Sequence, residues 1–366
     1  MYIHCQILFI LICFSFTSLS QDSTKVDNNS PKSIFTIGLT GYYGTIFAHS
    51  ESVQNTKGAN PVGLSIETTW KLIGEKTWQQ CNCTPRMGFY LSLWNYDVKL
   101  LGKSVILSYF LEPNFSLTRF LQLNFRAATG LAYLTNPYHP ENNPTNLSYS
   151  LPLSGYLSLG LSLGVQVNHN WGLILGGHYK HISNGGIKDP NKGINWPVLS
   201  LGVEFTPNPV TVPKREKSGY VKRKTPVYTA FLIWGNKNVE VGDKARYFIW
   251  SAILQAGKQV GKLNALTLGL ETYYDLAAKE KMRRDNISKS PFGVALLTGH
   301  EFLLGKFTFS QQLGWYLYQD TPYHPFFYHR WGVNYNFYKR LLLGFNMKAH
   351  YQVADFLDIR LGYRFN

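Results

Sequence analysis

Charge, cysteine and long hydrophobic segments are all scarce in this sequence. Asp, Glu, Lys and Arg make up 16% of its 366 residues, against about 25% in a typical soluble domain. Four cysteines are too few for a disulfide scaffold. No segment beyond the N-terminus approaches the ~18 consecutive apolar residues of a membrane-spanning helix. Aromatic residues reach 15%, which excludes disorder. What remains is a β-rich, basic chain with the profile of an outer-membrane barrel.

The N-terminus predicts a secretory signal. Ile7–Phe16 is an apolar run of ten residues, and small residues follow at Ser18 and Ser20. A run of this length with this ending is typical of a signal peptide, here residues 1–20, and it is too short to span a membrane. Its removal would leave two cysteines, Cys81 and Cys83. Their spacing is too close for an easy disulfide, so we expect two loop thiols.

Apolar and polar residues alternate with a period of two through most of the remaining chain. In 151–168 and 121–133 apolar side chains take every second position, and 357–365 repeats the pattern with Asp358 and Arg360 on the polar face. Strands of soluble sandwiches average only about 5–6 residues. Longer runs with a polar face predict an all-β fold, a transmembrane antiparallel barrel with an aliphatic outside and a polar interior. A secreted β-sandwich is the alternative.

The strand count predicts a duplicated barrel. We expect eight strands in 33–205, near 34–47, 61–73, 86–98, 103–112, 119–135, 151–168, 171–182 and 196–205. Eight strands close the smallest transmembrane barrel. A basic, proline-containing linker at 206–225 has no period, and about eight further candidate strands occupy 226–366. Both halves contain Pro-Tyr-His-Pro, at 137–140 and 322–325. The pattern leaves open two tandem barrels or one barrel of about sixteen strands.

One segment, 179–195 with the sequence YKHISNGGIKDPNKGIN, carries recognisable chemistry. His181 and Ser183 are two residues apart, so on a strand both side chains project to the same side, here the lipid side. An imidazole beside a hydroxyl is the minimum for a serine nucleophile with a general base.

The next three residues, Asn184, Gly185 and Gly186, carry N–H groups that could stabilise an oxyanion. The alternative interpretation is structural, because Asn-Gly-Gly and Asp-Pro-Asn-Lys-Gly are ordinary turn formers.

The pattern HxSNGG…PNxGxN at 181–195 resembles the lipid A 3-O-deacylase family, outer-membrane esterases also described as acyloxyacyl hydrolases. The resemblance extends over about 33–206, including Ala48-His49-Ser50, and is most specific at 181–195. It implies that His181 is the base, that Ser183 is the nucleophile and that Asn184 helps to form the oxyanion hole. It also implies lipid A of lipopolysaccharide as substrate. An activated hydroxyl needs no metal, so no metal and no cofactor are predicted.

The third member of the site departs from the family. The family has a Glu at the position occupied here by Asn195, fourteen residues after His181. A carboxylate orients the imidazole and stabilises its charged form, whereas Asn can only orient it. Of the nearby acids, Asp189 is expected in a turn, and parity places Glu204 on the lumen side. We expect Asn195 to orient His181; the alternative is a non-catalytic barrel with a structural or transport role.

The second half lacks this constellation, because Gln352 stands two residues after His350 and no Ser-Asn-Gly-Gly follows. We therefore expect 226–366 to be a non-catalytic barrel unit.

The net charge is +15, from 36 Lys and Arg against 21 Asp and Glu. The basic residues are scattered and accompany no nucleic-acid-binding motif, so no nucleic-acid partner is predicted. Cationic loops fit an anionic glycolipid surface instead. The predicted location is the outer membrane of a Gram-negative bacterium.

Overall fold

The computed structural model describes residues 32–212, 215–217, 219, 225–240, 243, 245–351 and 353–365. The predicted signal peptide, residues 1–20, lies outside these ranges. Strands dominate, and the helical segments are a 3-10 helix at Glu51–Thr56 and two α-helices, α1 (Glu75–Cys81) and α2 (Leu276–Arg284). None of the helices in the described ranges is long and apolar enough to cross a membrane.

The N-terminal half forms a closed antiparallel barrel. Its strands are β1 (Ser33–Gly44), β2 (Val62–Leu72), β3 (Arg86–Asn95), β4 (Lys103–Glu112), β6 (Leu121–Leu134), β7 (Leu153–Gln166), β8 (Trp171–Ser183) and β9 (Ile194–Phe205), with a short β5 (Asn114–Ser116) beside β6. Consecutive strands pair, β4 pairs with β6, and β1 pairs with β9 to close the ring. The eight strands expected from the alternation all form.

The C-terminal half forms a second closed barrel. Its strands are β10 (Val227–Lys237), β11 (Tyr247–Gln259), β12 (Asn264–Asp275), β13 (Phe292–Leu304), β14 (Phe307–Gln319), β15 (Phe327–Tyr338), β16 (Leu341–His350) and β17 (Val353–Arg364). Pairing of β10 with β17 closes it. The prediction of an all-β fold of antiparallel transmembrane barrels is confirmed, and of the two duplicated architectures the chain adopts two separate barrels of eight strands.

The outer surface of the first barrel is apolar and its lumen is polar. Leu157 and Leu199 are 54% and 69% exposed on the outside. Inside, Arg126 Nη1 contacts Glu67 Oε2 at 2.7 Å, and Arg86 bridges Glu112 and Glu204. This inverts the usual distribution of a soluble protein and matches the lipid-facing outside and polar interior of membrane barrels. It also places Glu204 in the lumen, as parity predicts.

The second barrel repeats this organisation. Arg330 in its lumen contacts Glu271 and Asp358, while Ile359 and Leu361 face outward. The seventh strand of each barrel also carries a buried lysine against tyrosine rings. Lys180 Nζ lies 4.5 Å from the Tyr42 ring centre, and Lys348 Nζ lies 4.1 Å from that of Tyr328.

The expectation of free thiols at Cys81 and Cys83 is wrong, because the two form a disulfide. Cys81 ends α1, and Asn82 follows it in the left-handed conformation at φ 52° and ψ 33°. That turn brings the two cysteine Cα atoms to 5.0 Å, which lies within the range that a disulfide can bridge.

Candidate active site

The candidate site lies where β8 ends, on the outer face of the first barrel. Along this strand Ile174, Lys180 and Ile182 are buried toward the lumen, while Leu175 and Tyr179 are exposed. His181 and Ser183 continue the outward row and are half-buried. The structure therefore places both predicted side chains on the same outward face, at the end of a row that is otherwise apolar.

Strand pairing brings the predicted third member, Asn195, beside the predicted base, His181. Asn195 is the cross-strand partner of His181 in the β8–β9 register. Asn195 Oδ1 lies 2.7 Å from His181 Nδ1. Because the amide oxygen only accepts, His181 carries its proton on Nδ1 and leaves the Nε2 lone pair free. The sequence separation of fourteen residues thus becomes a direct contact.

A second histidine, His49, holds the other end of the Asn195 amide. Asn195 Nδ2 lies 2.9 Å from His49 Nδ1 and donates to it. The backbone positions His49, since the chain beyond β1 stays bonded to β9 through Phe47 N–H to Asn195 O at 2.8 Å. The resemblance to the family includes Ala48-His49-Ser50. The alternation of apolar and polar residues, however, did not indicate that His49 would bind Asn195.

Gly193 packs against the imidazole of His181. It has φ +79°, and a Cβ there would stand 2.8 Å from His181 Cε1. Its N–H donates to Ser148 O at 2.7 Å, which ties the end of the β8–β9 loop to the β6–β7 loop. Glycine is needed here both for the left-handed backbone and for the space that the ring occupies.

Ser183 lies on the expected face of its strand but makes no hydrogen bond to His181, although both residues lie in the described part of the chain. Two residues along a strand are separated by about 6.8 Å, so a proton transfer between the two side chains would require the imidazole to rotate toward Ser183. Such contacts are commonly long without substrate and tighten when it binds.

The residues expected to form the oxyanion hole follow Ser183 directly, but the loop uses most of their hydrogen-bonding groups. Asn184 Nδ2 donates to Lys188 O at 2.6 Å and to Ser150 Oγ at 3.3 Å. Asn184 Oδ1 accepts from Gly186 N–H at 3.0 Å. In the described part of the loop, Gly185 N–H is the predicted donor that makes no such bond. The geometry thus differs from the expectation that the Asn184 amide itself faces the substrate.

The second barrel has a different arrangement at the corresponding strand. His350 ends β16, and its Nε2 lies 2.9 Å from Tyr316 Oη. Position 352 lies outside the described residues. The Pro-Tyr-His-Pro segments of both halves lie in the loop between the fifth and sixth strands of their barrels. Among the described residues, the candidate metal-ligand group is His324, His350 and Asp355, in this second barrel.

Two family models match the chain. Residues 62–204 match the model described as lipid A 3-O-deacylase (PagL), and residues 226–366 match the model described as acyloxyacyl hydrolase, C-terminal domain. These matches confirm the resemblance predicted from 181–195 and extend it to the second barrel. No curated protein matches the sequence.

Several solved structures are similar to parts of the chain. Neisserial surface protein A is 13% identical, covering 47% of this chain and 96% of its own, with a TM-score of 0.34. The outer membrane enzyme PagL is 17% identical, covering 45% and 97%, with a TM-score of 0.32. A porin of Rh. blastica is 8% identical, covering 91% and 100%, with a TM-score of 0.19.

Proposed function

Since the chain belongs to the lipid A 3-O-deacylase family, we propose that its first barrel is an outer-membrane serine esterase that removes an ester-linked acyl chain from lipid A. The observation that carries this proposal is the contact of His181 with Asn195, on the same outward face as Ser183. The predicted outer-membrane location is part of the proposal and is supported by the apolar outside of both barrels.

The proposed reaction uses a hydroxyl nucleophile and one base. Ser183 Oγ attacks the ester carbonyl, and His181 Nε2 accepts the hydroxyl proton. His181 then protonates the leaving alkoxide, and water hydrolyses the acyl-enzyme with the same base. Gly185 N–H is available to the oxyanion, whereas a contribution from the Asn184 amide or Gly186 N–H requires the loop bonds to rearrange on binding. This chemistry requires neither metal nor cofactor.

The orientation of the base would depend on two uncharged neighbours. Asn195 accepts from His181 and donates to His49. His49 thereby keeps the amide oxygen, and not the amide nitrogen, toward His181. An amide supplies no charge to the imidazolium that forms in the transition state, so we expect slower turnover than with a carboxylate.

The position of the site suits a substrate that never leaves the membrane. Leu175 and Tyr179 precede the site on the same outward face and are 60% and 46% exposed. An acyl chain could lie along this row with its ester at Ser183, without entering the lumen. The net charge of +15 would favour a phosphorylated glycolipid as the partner.

The test is mass spectrometry of lipid A incubated with the purified, detergent-refolded full chain beside Ser183→Ala. Loss of one acyl chain with the wild type, and no loss with the variant, is the expected result. Heat-modifiable gel mobility would show that both proteins are folded.

The second candidate function is a non-catalytic barrel with a structural or transport role. Two observations favour it: Asn195 in place of an acid, and the absence of a hydrogen bond between Ser183 and His181 in the described structure. It predicts unchanged lipid A from the folded wild type. If Asn195→Glu then created activity, the chain would be a family member that lost function with its acid.

A further inference from the structure

The second barrel contains a cluster of metal-binding side chains that the proposed esterase does not use. His324 lies in the β14–β15 loop, His350 ends β16, and Asp355 lies near the start of β17. One ligand atom from each falls within 4.8 Å of the others. We call these three residues the His-His-Asp cluster.

The distances within the cluster suit a small divalent ion. His350 Nδ1 lies 3.7 Å from Asp355 Oδ2, and the two imidazole rings stack with their centres 5.0 Å apart. Ligands that bind zinc tetrahedrally at about 2.0–2.2 Å stand about 3.4 Å from one another. A slight contraction of the cluster would therefore complete three ligand positions.

Two of the ligand atoms are buried without a hydrogen bond. His324 Nε2 and Asp355 Oδ2 have no hydrogen-bond partner in the described structure, and the side chain of His324 is 7% exposed. The carboxylate nearest to His324 Nε2 is Asp275 Oδ2, at 3.7 Å. Leaving such groups unpaired destabilises the folded barrel, and a bound cation would satisfy both.

The surrounding residues hold the ligands as in a metal site. Tyr316 Oη lies 2.9 Å from His350 Nε2 and so occupies the nitrogen that faces away from Asp355. Lys237 Nζ lies 2.7 Å from Asp355 Oδ1 and 3.0 Å from Asp275 Oδ2. Outer contacts of this kind fix the tautomer of a ligating histidine and the rotamer of a ligating carboxylate.

The charges near the cluster nearly balance before any metal ion is bound, so net charge alone does not hold a cation there. Asp275 and Asp355 carry two negative charges, and Lys237 balances one of them. Lys348 also faces the cluster and is packed against the rings of Tyr273, Tyr316 and Tyr328. Because ammonium groups are nearby, the imidazole nitrogens must supply much of the affinity, which favours a transition metal over Mg²⁺ or Ca²⁺.

We propose that the second barrel binds one divalent transition metal ion through His324 Nε2, His350 Nδ1 and Asp355 Oδ2. Zn²⁺ is the ion that we expect here. Asp275 or water completes the fourth position. The ion joins the β14–β15 loop to the ends of β16 and β17, so it stabilises the mouth of this barrel. The proposal is independent of the esterase, because no residue of the first barrel takes part.

The experiment is a metal-content measurement on the refolded full chain without a polyhistidine tag. The protein is stripped with chelator, exposed to Zn²⁺, freed of excess ion and analysed by mass spectrometry for zinc. His139→Ala is the matched control, since His139 occupies the Pro-Tyr-His-Pro segment of the first barrel. We expect one zinc per chain in the wild type and in this control, and none in His324→Ala.

A second measurement uses the conservative variant Asp355→Asn, so that the test does not depend on whether His324→Ala folds. Co²⁺ bound by two imidazoles and a carboxylate gives visible absorption bands, and we expect these with the wild type and not with Asp355→Asn. Zinc should also raise the Tm of the wild type and leave that of His324→Ala unchanged. No retained zinc in the folded wild type, or equal zinc in wild type and His324→Ala, would overturn the proposal.

Discussion

The role of His49 can be isolated by changing it in two backgrounds. Asn195 presents its oxygen to His181 while its nitrogen donates to His49 Nδ1 at 2.9 Å. In His49→Ala the amide loses the acceptor that distinguishes its two ends, and it can rotate to present its nitrogen to His181. The base would then hold its proton on Nε2 and could not accept one from Ser183.

The magnitude follows from the bond that is lost. A neutral hydrogen bond contributes about 0.5–1.5 kcal/mol, and 1.4 kcal/mol corresponds to about tenfold in rate. His49→Ala should therefore lower kcat/KM for lipid A deacylation about 2- to 10-fold. In Asn195→Glu the two carboxylate oxygens are equivalent and no orientation has to be held. There, His49→Ala should change kcat/KM by less than about twofold, a coupling of the order of 1 kcal/mol.

The assay is acyl release from lipid A in mixed micelles, measured for the four proteins of this double-mutant cycle. His169→Ala, an exposed histidine in the β7–β8 turn, controls for the loss of any imidazole. Equal losses in both backgrounds would mean that His49 acts by another route. No loss in the wild-type background would refute the argument that the amide needs orienting.

Three further changes test the barrel and the site. Glu67→Ala removes one of the two carboxylates that pair with the buried Arg126 guanidinium and leaves Glu112, so it should lower the free energy of unfolding by about 1–3 kcal/mol in urea titrations. Gly193→Ala should reduce deacylation as well as stability, because its Cβ would meet the imidazole of His181. Gly58→Ala is the control: Gly58 has a similar φ of +87°, but no atom lies within 4 Å of an added Cβ, so this variant should affect stability alone. Leu201 lies on the outer face and is 64% exposed, so Leu201→Arg should lower the free energy of unfolding by about 2–4 kcal/mol in bilayers. The loss should be much smaller in a detergent that solvates the charge. Equal losses in both would argue against a lipid-facing surface.

The strands could be predicted from the sequence because a membrane barrel imposes its pattern on every residue of the wall. The final strand of the first barrel was expected at 196–205 and runs Ile194–Phe205. Closure could not be predicted in the same way. It depends on β1 pairing with β9, for example Leu39 with Val203, and a period of two is the same whether the ring closes after eight strands or sixteen.

The parts of the site that depend on the positions of residues along one strand could be predicted. The parts that depend on how the loops fold could not. The resemblance to the family, which has a Glu fourteen residues after its His, implied that Asn195 would orient His181, and the two side chains are in contact. The hydrogen bond from Asn195 to His49 spans 146 residues and arises only from strand closure. The use of the Asn184 amide within its own loop, and the disulfide made possible by the left-handed Asn82, are likewise products of backbone conformation that residue types alone do not specify.

An asparagine at position 195 should make the folded barrel more stable than a glutamate would, and it should make the proposed esterase slower. The residue is 9% exposed, and removing a carboxylate from water there would cost several kcal/mol before the partial compensation by His181. Asn avoids that cost but gives up the charge that stabilises imidazolium. Asn195→Glu should thus raise kcat/KM while lowering the free energy of unfolding by about 2 kcal/mol relative to Asn195→Gln, which has the same length and no charge. Equal stability of the Glu and Gln variants would mean that water reaches this position and that stability does not account for the asparagine.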